Sequence, residues 1–367
     1  MNLAFIDIVP WDYDAGTVSQ RPLGGSQSAL CYLAVALAAR GHAVWLYTNT
    51  TKPRIYQGVQ CCSLNSLSRE VLANLDAVIV LNSPDLCLVL RPNLPSGCRL
   101  ILWTQIAHDQ EVMWVLRSPP VQAAWDLVVC VSQWHATQMQ RCFSLNPARV
   151  TVMRNAISPG FENLFPDAAA LAKAKSSAPV LAYTSTPFRG LDILLSLFPE
   201  VRRREPRVRL QVFSSMKVYS WDESKDPCAD LYKKCQSTPG VEYVGSVPQP
   251  LLAESLKSAA ILAYPNTFAE TSCIAVMEAM AAGLLVVTTD LGALPETTMG
   301  MGIMVPTLRK QEDTAVYLDR LMQAIKDWNS PDFYSARWEQ VRAVTSQCTW
   351  SLRAAEWERL LRETMER

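Results

Sequence analysis

Short apolar runs alternate along the chain with stretches in which apolar positions return every three or four residues. In the first half, the runs at 3–9, 43–48, 77–81, 100–103, 127–131 and 150–153 read as strands. The segment 26–40, stopped by Gly41, reads as the first helix, and Ser132 is placed to cap another. Periodicity lapses between 155 and 178. It restarts with strands at 180–184, 207–213, 241–244, 261–264, 285–288 and 303–305, and helices fit at 191–198, 251–259 and 272–282.

Strands that are apolar throughout and separated by helices belong to parallel sheets covered on both faces. The pattern predicts an α/β protein of two tandem Rossmann-like, doubly wound domains, the first over 1–164 and the second over 165–348. The segment 349–367 reads as an amphipathic helix able to pack back onto the first domain, with Trp350, Leu352, Ala355, Trp357 and Leu360 on its buried face. Sheets of this kind bind ligands at the carboxyl ends of their strands, so two of them predict an interdomain cleft suited to two substrates.

Composition narrows the choice. The chain's 367 residues give each half enough length for its own core. Lys plus Arg (34) equals Asp plus Glu (34), which offers nucleic acid no electrostatic footprint. The one basic run, 201–209, sits between a helix pattern and a strand and reads as a solvated helix end. Eleven cysteines stand without the spacing of a disulfide framework, and Cys31, Cys130 and Cys273 lie inside apolar patterns, as small core residues do. With three histidines and no paired cysteine motif, no metal site is expected. Residues 1–10 carry no basic leader, and no apolar stretch reaches the roughly 20 residues that span a bilayer. A cytoplasmic location follows as the expectation.

The segment 261–289 carries the strongest chemical signal. It reads as strand, loop, helix, strand, with hydroxyls at Thr271 and Ser272 to cap the helix and Gly283 to end it. The amides of Ser272, Cys273 and Ile274 would then form an anion site fit for a pyrophosphate. Glu270 and Glu278 flank that helix start, and a carboxylate accepts paired hydrogen bonds from vicinal sugar hydroxyls. Gly24 and Gly25 open the first helix, where a backbone can approach a phosphate closely. His108 follows the strand at 100–103, and Arg189-Gly190 follows the strand at 180–184.

Glu270 through Glu278, followed by Ala279-Met-Ala-Ala-Gly283 and an apolar strand, resembles the E-x7-E signature of retaining glycosyltransferases of family 4, which have the GT-B fold. The resemblance implies that Glu270 contacts the donor sugar and Glu278 the ribose. It implies that Gly24 and Gly25 lie between acceptor and donor phosphates, that His108 faces the donor sugar, and that Arg189 holds the phosphates. Where the family carries a further basic residue, this chain has Thr184; Ser185 or Thr186 is available to compensate by hydrogen bonding. The expected reaction moves a hexose-type sugar from a nucleoside-diphosphate sugar to a glycan, lipid-linked or small-molecule acceptor, with no metal or other cofactor. A lipid-linked acceptor would add peripheral membrane contact. Trp11, Tyr13, Trp114 and Trp125 are candidates to stack on a sugar, with core packing the alternative for Trp125. The rival readings are a nucleotide-sugar epimerase or phosphorylase on the same fold, and a non-catalytic nucleotide-sugar-binding subunit.

Overall fold

The computed structural model describes residues 1–175, 177–221 and 225–366, so Arg367, the last residue of the expected C-terminal helix, lies outside the described residues. The chain forms two compact units. Unit 1 holds Met1–Gln20, Gly24–Ala156 and the chain from Trp350 onward; unit 2 holds Arg21–Leu23 and Ile157–Thr349.

In unit 1 the strands are β1 (Asn2–Ile6), β2 (Ala43–Thr48), β3 (Arg54–Tyr56), β4 (Val59–Ser63), β5 (Ala77–Leu81), β6 (Arg99–Trp103), β7 (Leu127–Cys130) and β8 (Val150–Val152). Their order across the sheet is β3-β4-β2-β1-β5-β6-β7-β8, parallel throughout except for the β3–β4 hairpin. Strand order reverses between β1 and β5, which makes their carboxyl ends a topological switch point. The helices are α1 (Gly25–Ala39), α2 (Arg69–Leu72), α3 (Cys87–Leu90), α4 (Pro119–Ala124) and α5 (Gln133–Phe143). Ser132 caps α5 as expected, its Oγ accepting from the His135 amide.

Unit 2 continues with α6 (Ala168–Ala174), β9 (Val180–Tyr183), α7 (Leu191–Arg204), β10 (Arg209–Val212), α8 (Ala229–Ser237), β11 (Val241–Tyr243), α9 (Gln249–Leu256) and β12 (Ile261–Tyr264). It ends with α10 (Ile274–Ala281), β13 (Leu285–Thr289), α11 (Leu294–Thr297), β14 (Ile303–Val305), α12 (Gln311–Asp327) and α13 (Pro331–Gln347). The parallel sheet runs β11-β10-β9-β12-β13-β14, with its switch point between β9 and β12. Val180, Leu181, Ala182 and Tyr183 of β9 and Ile261, Leu262, Ala263 and Tyr264 of β12 are all buried, as strands covered on both faces must be.

The last helix, α14 (Trp350–Met365), packs in unit 1, where Trp357 meets Trp103 edge-on at 5.3 Å between ring centroids and Trp350 tilts against Tyr32 of α1 at 6.2 Å. Its buried face corrects the expected one. Trp350, Arg353, Ala354, Trp357 and Leu361 are inside, whereas Leu352 is exposed and Ala355 and Leu360 are half-buried. The expectation set Leu352 above Arg353 on polarity alone. Arg353 is buried because its guanidinium finds the Asn155 carbonyl at 3.3 Å and Glu356 at 2.9 Å.

One further expectation shifts for a local reason. Helix α7 runs past Pro199, beyond the end read from the sequence pattern, because Val201 still packs in the core and Glu200 pairs with Arg203 and Arg204. The same pairs, with Glu205–Arg207, offset part of the charge of the basic run 201–209. Lys175 is buried, its Nζ donating to the carbonyls of Ala259 and Ala282 at 2.7 Å each, so it satisfies the exit of α10. Among the described residues no helix is long and apolar enough to cross a membrane. Cys31, Cys130 and Cys273 are buried free thiols.

Candidate active site

The switch point of unit 2 brings together two of the residues singled out from sequence. Arg189 lies on the loop leaving β9 and Glu270 on the loop leaving β12, and their side chains form an ion pair, Nη1 to Oε1, at 2.7 Å. The same carboxylate oxygen accepts the Tyr264 hydroxyl at 2.6 Å. Glu270 is 4% exposed, so its charge is held by partners rather than by water. Burial works against the Arg189 cation, yet the adjacent Glu270 carboxylate holds its pKa well above the ordinary arginine value. The guanidinium carbon sits 4.4 Å from the Phe268 ring centroid and 5.5 Å from that of Phe188.

Backbone geometry fixes this loop. Gly190 has φ +110°, and a Cβ there would overlap the Pro265 carbonyl oxygen, so only glycine lets the β9 loop lie against the β12 loop. The Tyr183 hydroxyl donates to the Thr186 carbonyl at 2.8 Å. Thr184 and Thr186 carry buried Oγ1 atoms without partners among the described residues, as does the Nε of Arg189.

Helix α10 starts later than the sequence suggested. Its N-cap is Cys273, with no side-chain cap, so the hydroxyls of Thr271 and Ser272 do not play that part. The cause lies upstream. Glu270 pairs with Gly292 in a β-bridge and accepts the Ala293 amide at 2.7 Å, which keeps the chain extended, and Cys273 is itself extended (φ −82°, ψ 96°). Ser272 and Cys273 therefore precede the helix, and Ile274 is its first residue. Gly283 ends it with φ +73°.

Glu278, on α10, is 2% exposed and accepts the Ser158 amide on Oε1 at 3.1 Å. Burial raises its pKa to about 7, against the pull of hydrogen bonds from Ser158 and Gln249. The carboxylate that the resemblance assigns to a ribose is thus held by the protein's own groups.

Unit 1 carries the other candidates at the edge of its own sheet. Gly24 is the N-cap of α1 and Gly25 its first residue; the first helical bond is Ser28 N–H to Gly24 C=O, with no side chain capping. His108, half-buried after β6, meets Trp134 edge-on at 6.2 Å, and its Nδ1 is buried without a partner among the described residues. Asp109 is exposed and accepts from Gln110. Of the aromatic candidates, Trp125 is core, its Nε1 donating to the Pro84 carbonyl. Tyr13 is also buried, its hydroxyl on Asp7 at 2.6 Å, which removes it from any stacking role. Trp114 stays exposed beneath Arg117.

Three participants were not singled out from sequence. Tyr264 is the last residue of a buried strand and carries a hydroxyl at its carboxyl edge, a legible signal. Asp7 directly follows β1, taking Tyr13 and Gln27 as partners. His135 fixes the loop before His108 by contacting the Ile106 carbonyl at 2.9 Å, and burial lowers its pKa to about 4, so it stays neutral.

Two open, mainly parallel sheets, the second with a cation, a carboxylate and a helix N-terminus at its switch point, make up the two-unit α/β architecture of this chain. Residues 178–324 match a family profile described as "Glycosyl transferases group 1". Over 172 residues the chain is 28% identical to one of the phosphatidylinositol N-acetylglucosaminyltransferase subunits of Arabidopsis thaliana, covering 47% of this chain and 36% of that protein. The matched part thus spans little more than a third of that relative's length. Two solved structures share the fold: WaaG, a glycosyltransferase involved in lipopolysaccharide biosynthesis (TM-score 0.66, 16% identity, 98% of this chain and 99% of that one), and sucrose-phosphate synthase from Thermosynechococcus elongatus (TM-score 0.69, 16% identity, 99% and 98%). These likenesses support a glycosyltransferase with the GT-B fold.

Proposed function

We propose that the chain is a retaining glycosyltransferase of family 4 that moves a hexose-type sugar from a nucleoside-diphosphate donor without a metal. The observation that carries this reading is the Arg189–Glu270 pair at the switch point of the second sheet, next to the start of α10. A guanidinium there is suited to the donor's phosphates and a carboxylate to the sugar hydroxyls. The acceptor hydroxyl oxygen bonds to the anomeric carbon from the face the phosphate leaves. The bond to the phosphate oxygen breaks with its electron pair on that oxygen, which takes the acceptor's proton. Arg189 and the amides at Ile274 disperse the developing negative charge. Within unit 1 we propose His108, whose Nδ1 has no partner among the described residues, as a sugar contact, and Gly24 and Gly25 as backbone for a phosphate or acceptor.

N-acetylglucosamine is the first sugar to test and an inositol phospholipid the first acceptor, because the Arabidopsis relative is named for both. That relative is one subunit of a transferase, which favours a second reading in which this chain works inside an assembly. The cytoplasm is the compartment we propose, resting on eleven cysteines with no disulfide framework in their spacing. The test incubates the protein with UDP-N-acetylglucosamine, UDP-glucose and GDP-mannose, with EDTA present, and measures released nucleoside diphosphate. Release that disappears in Glu270→Gln supports the reading. Binding without release, with every donor and with the phospholipid added, favours the non-catalytic subunit.

A further inference from the structure

Glu270 and Arg189 are not two independent side chains. The Tyr264 hydroxyl has one proton, and it goes to Glu270 Oε1 at 2.6 Å; Ser185 Oγ, 3.2 Å from the same hydroxyl oxygen, must then donate to it. Arg189 reaches that same Oε1. Both of these donors therefore sit on one carboxylate oxygen, Oε1, and Cys273 is a further side-chain hydrogen-bond partner of the same carboxylate. Tyr264 is 1% exposed and rests edge-on against Tyr183 at 5.8 Å, so its hydroxyl cannot swing away. On the other side, the guanidinium is bracketed by Phe268 and Phe188, whose rings are themselves edge-to-face at 6.1 Å. Phe268 is the closer ring, while Phe188 is exposed.

We propose that Tyr264 and Phe268 are positioning residues that hold Glu270 and Arg189 as one preset unit for the donor; the inference rests on the transferase reading above. Tyr264 sets which carboxylate oxygen is offered to the sugar. Phe268 sets the plane of the guanidinium through its π face and keeps water from it. Preset charges stabilise a transition state without reorganising at the moment of reaction. This chain has particular need of that, since Thr184 stands where the resembled family has another cation. A single cation has to be placed well.

The test measures nucleoside diphosphate release by the full chain from UDP-N-acetylglucosamine, UDP-glucose and GDP-mannose, and uses the best donor. Tyr264→Phe removes one proton donor and keeps the ring. We expect kcat to fall by roughly tenfold or more with KM changed by less than about threefold. Phe268→Leu should behave alike, and Phe268→Tyr should restore most of the loss. Thermal melts of every variant identify loss of fold, for which kcat per folded molecule would be unchanged. Wild-type kcat in folded Tyr264→Phe, or in folded Phe268→Leu, would overturn the inference while the transferase reading stands. A wild-type chain that binds donor and releases nothing overturns both.

Discussion

Arg189 and Glu270 meet at 2.7 Å across the boundary between β9 and β12, the two strands from which the second sheet winds in opposite directions. The pair joins the two loops that leave this switch point, which is why residues far apart in sequence come within reach of one oxygen atom. Removing one partner leaves the other buried and uncompensated. Arg189→Ala should lower the stability of unit 2 by about 3 kcal/mol, read as an earlier urea midpoint, whereas Glu270→Gln, which keeps shape and hydrogen bonding, should cost less.

Gly190 is the structural condition for that meeting. At φ +110°, with the Pro265 carbonyl where a Cβ would go, alanine is strained in both backbone and contact. Gly190→Ala should destabilise by more than about 1 kcal/mol and weaken donor binding in a thermal-shift titration. An unchanged melt would mean that the two loops do not lie this close.

Glu278 should make stability depend on pH. Its folded pKa, about 7, lies above the ordinary glutamate value of 4.5, so the folded state binds the extra proton between those limits. The contribution is fully present below about pH 4.5 and is lost as pH rises through 7, a change on the order of 3 kcal/mol. Glu278→Gln should flatten that part of the profile in urea denaturation measured from pH 4.5 to 8. A slope identical to wild type would contradict the buried, Ser158-held carboxylate.

How much of this was legible in the sequence follows from how each feature is encoded. The twelve strands read from apolar runs all appear, most legibly β5, β7, β9 and β12, which are apolar and buried along their whole length. The β3–β4 hairpin escaped. Its turn is Gln57-Gly58, both with positive φ, where Asn-Gly is the usual signal, and the edge strand β3 exposes Ile55. The motif around Glu270 was legible as a spacing, but the start of α10 was not, since the bridge between Glu270 and Gly292 is a contact across the fold. Arg353 and Tyr264 were misplaced or passed over for one reason: a polar group's burial depends on partners that no local pattern names.

The corrected face of α14 gives a direct comparison between two residues five apart. Trp357 is 1% exposed against Trp103, and Leu352 is 39% exposed. Trp357→Ala should cost about 3–5 kcal/mol of unit 1 stability. Leu352→Ala should stay within about 0.5 kcal/mol. Equal losses would restore the face first read from the sequence.

The most direct test of the central claim follows the anomeric proton of UDP-N-acetylglucosamine, UDP-glucose and GDP-mannose by NMR, with inositol phospholipid as acceptor, for wild type and Glu270→Gln. The account predicts that wild type consumes one donor, releases nucleoside diphosphate and forms a product with the donor's own anomeric configuration, and that Glu270→Gln leaves the donor intact. An inverted product, or equal turnover by the two proteins, would contradict it.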